Sequence, residues 1–277
     1  MPSHPYIVCD VFTDRPLEGN QLAVFTDGST IPEALLQPLA REMNLSETVF
    51  VLPPAEGGDA KVRIFTPSAE LPFAGHPVLG TAVVLGRRLD ADNVVLETGR
   101  GFVPVGLAAG FGRMAQPLPT VEPFGDPASL LAALGVERSE LPVERYDNGV
   151  RHIYVALGSA ADVAALTPDL GALAALLGPQ GVSCFAPDGT RWKTRMFIPG
   201  AGVSEDPATG SAAGPLALHL ARHGRIRFGE EIEISQGAEI ARPSTLYARA
   251  DGRPDDVTGV EVGGAAVEVA EGRFILS

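Results

Sequence analysis

The feature that most constrains this chain is an internal repeat. The segment Arg63-Ile-Phe-Thr-Pro67, then Ala74-Gly75-His76-Pro77 and a small-residue apolar run to Arg88, recurs about 130 residues later. The second copy reads Arg195-Met-Phe-Ile-Pro199, then Thr209-Gly210-Ser211-Ala212 and a similar run to His223. Each is followed by a strand-like stretch that closes on Gly, Val94–Gly99 and Ile232–Gly237. Strand, polar loop, small-residue helix and strand, twice over, predict two similar domains with a pseudo-twofold cleft. The two Gly-containing loops would face that cleft, which suits chemistry on a small anion.

A chain of 277 residues agrees with about two domains. With 45% hydrophobic and 20% charged residues it can bury ordinary cores. The formal charge of −13 argues against a nucleic-acid partner, since such proteins carry a basic footprint. No apolar run approaches the roughly 20 residues of a membrane helix, so no membrane partner is expected. The stretch Met1–Asp14 alternates like a strand and lacks the basic start and apolar run of a signal peptide. Cys9 and Cys184 lie far apart in apolar strand-like settings, which reads as two buried, reduced thiols. These features together predict a cytoplasmic protein.

Strands are expected at Pro5–Phe12, Leu22–Phe25, Glu47–Leu52, Ala60–Phe65, Val94–Glu97 and Phe102–Leu107. A helix fits Pro32–Met43, with Pro32 in the first turn and Pro38 expected to kink or split it. A second helix fits Pro77–Arg88. Three prolines and a Gly without periodicity place the domain crossing within Gln116–Asp126. The expected domains are therefore 1–117 and 118–263, with 264–277 a candidate to return to the first. Beyond the crossing, helices fit Pro127–Leu134 and Asp169–Leu177, and strands fit Val150–Leu157, Val182–Ala186, Trp192–Phe197 and Arg273–Leu276.

Both central helices hold Gly among small residues: Gly80-Thr81-Ala82 in one, Ala212-Ala213-Gly214 with Ala217 in the other. Gly is a poor helix former, so each needs a packing reason. A helix enclosed by a curved sheet supplies one, because backbone must approach backbone closely. The expected fold is α/β, an α+β roll: two pseudo-symmetric domains, each a curved, mostly antiparallel sheet around a central helix. The helix N-termini at Gly75-His76 and Gly210-Ser211 would present N–H groups and the positive dipole end to an anion. Ser211 or Thr209 could equally serve only as caps.

Three ionisable residues stand out. Glu47, at the joint between a helix and an apolar strand, is either a surface turn residue or a general base. Asp206, shortly before the second central helix, is either a loop anchor or a second acid/base group. His76 opens the first central helix, where the dipole would favour neutral imidazole. Its plainer role is a helix-terminus hydrogen bond.

The segments Leu17-Glu-Gly-Asn20, Ala40-Arg-Glu-Met-Asn-Leu-Ser-Glu-Thr48, Glu70-Leu-Pro-Phe-Ala-Gly-His-Pro77 and Glu205-Asp-Pro-Ala-Thr-Gly-Ser-Ala-Ala213 closely resemble the PhzF-like phenazine-biosynthesis family. Arg63–Pro67, Arg195–Phe197, Ala217–Arg222 and Arg242–Ser244 extend the resemblance nearly end to end. One departure is Gln21, where many members carry Pro; it touches loop geometry only. The resemblance implies a fold similar to diaminopimelate epimerase and a homodimer. That epimerase uses one cysteine from each domain, but the matching positions here are Ala74 and Thr209. Two-thiol racemisation is thus not expected, and the family's acid/base positions fall on Glu47, His76 and Asp206.

The resemblance further implies a cofactor-free, metal-free isomerase acting on a small carboxylate, trans-2,3-dihydro-3-hydroxyanthranilate, by proton transfer from C3 to C1. Asn20, Ser46, Gly75, Thr209, Gly210 and Ser211 would bind it. An isomerase or epimerase of another small acid, or a non-catalytic ligand-binding dimer of the same fold, are the alternatives. No phosphate loop, dinucleotide fingerprint, His-Glu-x-x-His or nucleophile elbow is present in the sequence. His219 and His223 stand four apart on one helix, with no third ligand evident in the sequence.

Overall fold

Two helices organise the structure, a computed structural model that describes residues 3–201 and 203–276. The ends of the expected first domain, Met1, Pro2 and Ser277, and Gly202 of the second lie outside the described residues. The chain divides into two compact units, Met1–Ala115 with Gly263–Ser277, and Gln116–Val262.

In the first unit β1 (Ser3–Val11) pairs antiparallel with β2 (Asn20–Phe25). Helix α1 (Glu33–Met43) turns the chain so that β3 (Glu47–Leu52) runs parallel to β2. Strands β4 (Ala60–Phe65) and β5 (Glu70–Leu71) follow antiparallel. Helix α2 (Gly75–Leu89) then carries the chain to β6 (Asn93–Thr98), parallel to β4. β7 (Gly101–Ala108) and β8 (Phe111–Ala115) complete an antiparallel meander.

The second unit opens with β9 (Thr120–Pro123) and α3 (Pro127–Leu134) and then repeats the plan. β10 (Glu144–Asp147) pairs antiparallel with β11 (Arg151–Ala156); after α4 (Ala160–Ala164) and α5 (Leu170–Leu177), β12 (Gly181–Asp188) runs parallel to β11. β13 (Arg191–Ile198) and β14 (Val203–Asp206) follow antiparallel. Helix α6 (Gly210–Arg222) leads to β15 (Glu231–Gln236), parallel to β13, and β16 (Ser244–Arg253) pairs antiparallel with β15. Each unit thus has its two parallel pairs at the same two places. The duplication read from two short segments extends to the whole strand order, giving two α+β rolls.

In α2 every residue from Gly75 to Gly86 is buried, and in α6 every residue from Gly210 to Ala221. Strands β1, β2, β3, β6, β7 and β8 surround α2. A Cβ at Gly80 would lie 2.6 Å from Val11 Cγ2 and 2.8 Å from Leu22 Cδ2. A Cβ at Gly214 would collide with Gln116 Oε1 and Val260 Cγ1. Close approach is therefore the reason for glycine in both helices, against its low propensity. A second core in the first unit forms where Leu36, Leu39 and Ala40 of α1 pack on Phe25, Phe50 and Phe65. In the second unit α3 and α5 cover the other face of β11 and β12 through Leu130, Leu134, Leu173 and Leu177.

Three expectations need correction. Pro38 does not split α1, which runs as one helix; the carbonyl it deprives of an N–H, on Ala34, belongs to an exposed residue that water can serve. The proline-rich crossing contains a strand, β9, whose ladder with β10 tolerates Pro123 at its end. The final strand is not Arg273–Leu276 but β17 (Asp256–Ile275), 20 residues long. Its alternation is masked by Gly263 and Gly264, which make room for Phe111 and Phe12. From Ala266 to Ile275 β17 pairs with β1, with a register shift at Val8/Cys9.

Candidate active site

The first unit brings its candidate residues together from three chain segments. Parallel pairing sets Leu22 beside Glu47, so Asn20 and Glu47 stand at neighbouring strand starts. The left-handed Asn44 that ends α1 and the bend at Ser46 aim the chain into β3. The N-terminus of α2 then brings in His76. Its Nε2 lies 3.4 Å from Glu47 Oε2, and its Nδ1 lies 3.4 Å from Asn20 Nδ2. Glu47 and His76 side chains are only 16% and 6% exposed, so the pair is shielded from bulk water.

His76 has its pKa lowered to about 3, first by burial, with a backbone hydrogen bond at Gln21 opposing. Neutral imidazole was expected, but desolvation rather than the helix dipole is the leading cause. Asn20 Nδ2 lies beside Nδ1, and Nε2 is the ring nitrogen nearer the Glu47 carboxylate. Ala74, the N-cap of α2, has no side chain to satisfy the first-turn N–H groups, and Pro77 has no N–H. Gly75 and His76 therefore supply the donors at this helix end.

The second unit organises the start of α6 more elaborately. Asp206, buried at the end of β14, accepts a 2.6 Å hydrogen bond from Thr209 Oγ1. Gln236 Nε2 donates to the Asp206 carbonyl and to Thr209 Oγ1, at 2.8 and 3.0 Å. Its Oε1 accepts from Thr209 N–H and the Thr194 hydroxyl, at 3.3 and 3.2 Å. Thr209, an expected substrate-binding residue, has its hydroxyl and N–H engaged with Asp206 and Gln236, which places it to orient Asp206. The residue occupies the N-cap without a capping side-chain bond. Ser211 does not cap either, because its Oγ lies 2.9 Å from His152 Nε2. Gly210 is buried as the first residue of the helix.

The carbonyls of that first turn are also held by side chains. Gln116 Nε2 donates to Gly210 O and Tyr154 Oη to Ala212 O, at 2.9 and 2.7 Å. Asn148 Nδ2 donates to Ser211 O at 2.9 Å. The last has a sequence-level cause: Pro215 lacks the N–H that would otherwise bond Ser211 O. Sequence reading missed Gln116, Asn148, His152, Tyr154 and Gln236. Two signals were present, a proline inside a helix and a Gln closing the apolar run before Gly237.

The remaining histidine pair also differs from expectation. His219 and His223 do have a third polar neighbour, Glu144, supplied by β10 from 75 residues earlier. Glu144 Oε2 accepts from His219 Nδ1 at 3.2 Å, His223 Nε2 at 2.9 Å, Arg222 Nη1 at 3.0 Å and Tyr146 Oη at 3.0 Å. Burial would raise its pKa, but these hydrogen bonds and the Arg222 charge overcome it and pull it down to about 2. With a guanidinium on the same oxygen, the cluster is an ion-pair network at the C-terminal end of α6. A divalent cation there would have to displace Arg222. Cys9 and Cys184 are fully buried, unpaired thiols. Among the described residues no helix is long and apolar enough to cross a membrane.

Known proteins place this geometry in context. A family model described as PhzC-PhzF, phenazine biosynthesis-like protein, matches residues 9–272. The trans-2,3-dihydro-3-hydroxyanthranilate isomerase of Pseudomonas aeruginosa is 53% identical, over 99% of this chain and 100% of the relative. Its namesake from Pseudomonas fluorescens is 51% identical at the same coverage. The crystal structure of a PhzF-family phenazine biosynthesis protein from Bacillus anthracis superposes with a TM-score of 0.88 over 100% of both chains. At 23% identity it speaks for the fold alone. A family match spanning nearly all of the sequence, and relatives of this identity over their full length, establish that the chain belongs to the PhzC-PhzF, phenazine-biosynthesis-like family.

Proposed function

We propose that this chain is an isomerase of trans-2,3-dihydro-3-hydroxyanthranilate, moving a proton from C3 to C1 by general acid/base catalysis. The observation that carries the reading is the sheltered pair of Glu47 and a neutral His76, in a chain 53% identical end to end to an isomerase of that name. A protonated imidazole 3.4 Å away would neutralise Glu47 as a base; a neutral one leaves the carboxylate basic.

In this reading Glu47 takes the proton from C3, the hydroxyl-bearing carbon. The electron pair left behind delocalises through the diene toward C1 and its carboxylate. Protonated Glu47 returns the proton to C1 on the same ring face. The product is an enol that tautomerises to the ketone. His76, and Asp206 as oriented by Thr209, hold the amino and hydroxyl groups and stabilise the shifting charge. Donors at Gly75, Gly210 and Ser211, together with Asn20 and Ser46, bind the carboxylate and fix the ring. None of these steps calls on a cofactor. The homodimer expected from the resembled family and a cytoplasmic location, consistent with two reduced buried thiols, belong to the same proposal.

The test is turnover of trans-2,3-dihydro-3-hydroxyanthranilate in D₂O by wild type and Glu47→Gln, followed by loss of diene absorbance and proton NMR. A positioned acid/base is worth about 10²–10⁴-fold, so the variant should lose at least about 100-fold. Retention of more than a tenth of the rate would remove Glu47 from the chemistry. No turnover by folded wild type would move the function to another acid.

A further inference from the structure

We infer that His152 is a positioning residue that donates from Nε2 to Ser211 Oγ and thereby turns the Ser211 hydroxyl proton outward, as a donor to the anionic end of the substrate. The inference rests on the proposed function in taking Ser211 as a substrate-binding group. It adds what makes that hydroxyl a donor.

The argument begins with the two ring nitrogens. His152 is 1% exposed and lies on β11, with Nε2 2.9 Å from Ser211 Oγ. Nδ1 has no hydrogen-bonding partner among the described residues. It packs over Gly181, where even a methyl group would sit 3.2 Å from it. Burial lowers the pKa of the ring to about 4, with the Asp147 charge opposing, so the imidazole is neutral and carries one proton.

That proton has two possible positions. On Nδ1 it would be a buried donor with no acceptor, and Nε2 would consume the serine hydroxyl proton. Orphaned buried N–H groups are rarer in proteins than orphaned acceptors. On Nε2 it satisfies Ser211 Oγ and leaves only a lone pair facing Gly181. The second arrangement is favoured, and in it Ser211 accepts from His152 and keeps its own proton to give. The backbone of the same serine is held by Asn148, four residues before His152 on the β10–β11 turn, through the carbonyl that Pro215 leaves without an N–H. One hairpin thus fixes both the position of Ser211 and the direction of its hydroxyl.

Two measurements test this. Nitrogen-15 NMR of the wild-type imidazole reads the tautomer directly and needs no variant: protonation at Nε2 is expected, and protonation at Nδ1 would overturn the inference. Calorimetric binding of anthranilate to wild type, Ser211→Ala, His152→Phe and the double variant then measures coupling. A hydrogen bond to a charged group is worth about 10-fold or more in affinity, so each single variant should weaken binding by about that factor. The double variant should bind no more weakly than Ser211→Ala alone. Independent, multiplying losses would mean that His152 acts only through packing, and failure of wild type to bind anthranilate would remove the anion site. His152→Gln, which keeps a donor near the Nε2 position, should recover most of the affinity and guards against a misfolded Phe variant. Tautomer and coupling are both read without turnover, so they can stand even if the dihydrohydroxyanthranilate assignment fails.

Discussion

Glu47 Oε2 and His76 Nε2 stand 3.4 Å apart within the first unit, where the imidazole is held neutral by burial. The consequence is kinetic. With its pKa near 3, His76 does not titrate across the working range of an enzyme at neutral pH. The rate profile should therefore show no inflection near pH 6.5 from this residue, and its ring NMR signals should stay constant from about pH 5 to 8. A His76 titration midpoint near 6.5 would contradict the geometry.

The orienting network around Asp206 predicts a kinetic loss without unfolding. Thr209→Val is nearly isosteric but removes the hydroxyl that bonds Asp206 and Gln236. Small misplacements of a reacting group can cost on the order of 100-fold, so kcat/KM should fall by about 10–100-fold. Gln236→Leu should act in the same direction. Unchanged kinetics in a folded Thr209→Val protein would take Asp206 out of the site.

The repeated Arg-x-Phe segments predict unequal stability effects. Arg63 forks onto Glu70 with Nε and Nη2 at 2.7 Å each, and Arg195 forks onto Glu205 at 2.9 and 2.7 Å. Each guanidinium also lies over the Phe two residues on, at 5.1 and 4.9 Å. The surroundings differ: both partners in the Arg195 pair are 9% exposed, against 21% and 43% for Arg63 and Glu70. Arg195 also serves the carbonyls of Val163, Ala164 and Leu166 around the end of α4. Arg195→Ala should cost about 3–5 kcal/mol, and Arg63→Ala about 1 kcal/mol or less. Urea denaturation of the two variants measures the difference.

Stability should decline on acidification in two windows. His76 and His152 have folded pKa values of about 3 and 4, below the usual 6.5, so the unfolded chain takes up protons first as the pH falls. Stability is therefore lost progressively below about pH 6.5. Glu144, pulled down from 4.5 to about 2, contributes stability that is present above pH 4.5 and lost as the pH falls toward 2. Urea midpoints between pH 7 and 4 should fall in wild type and fall less in His152→Gln, and a parallel decline in both would assign the loss elsewhere.

Much of this was legible before the structure. The repeat, with a Gly inside each of two small-residue helices, pointed to enclosed helices because only tight packing justifies Gly80 and Gly214. Glu47, His76 and Asp206 were singled out by chemistry at element ends. What could not be read was long-range partnership. Glu144 reaches His219 across 75 residues, and Gln236 reaches Asp206 across 30, by way of strand pairings that no local pattern encodes. Strand β17 escaped because two adjacent glycines interrupt its alternation. Thr209 illustrates the remaining difficulty: a hydroxyl at a helix start reads equally as a cap or a substrate ligand, and its actual partners come from elsewhere.

The return of β17 to β1 sets an order on biosynthesis. The second unit is one continuous stretch of chain, and its strands and α6 can assemble while later residues are still being added. The first unit cannot close in that way, because Ser3–Val11 finds its outer partner only in Ala266–Ile275. Residues made early wait for a segment made much later, with one edge of β1 exposed meanwhile. Closure of the sheet around the Glu47–His76 pair is thereby tied to synthesis of Ala266–Ile275, and folding around α6 is not.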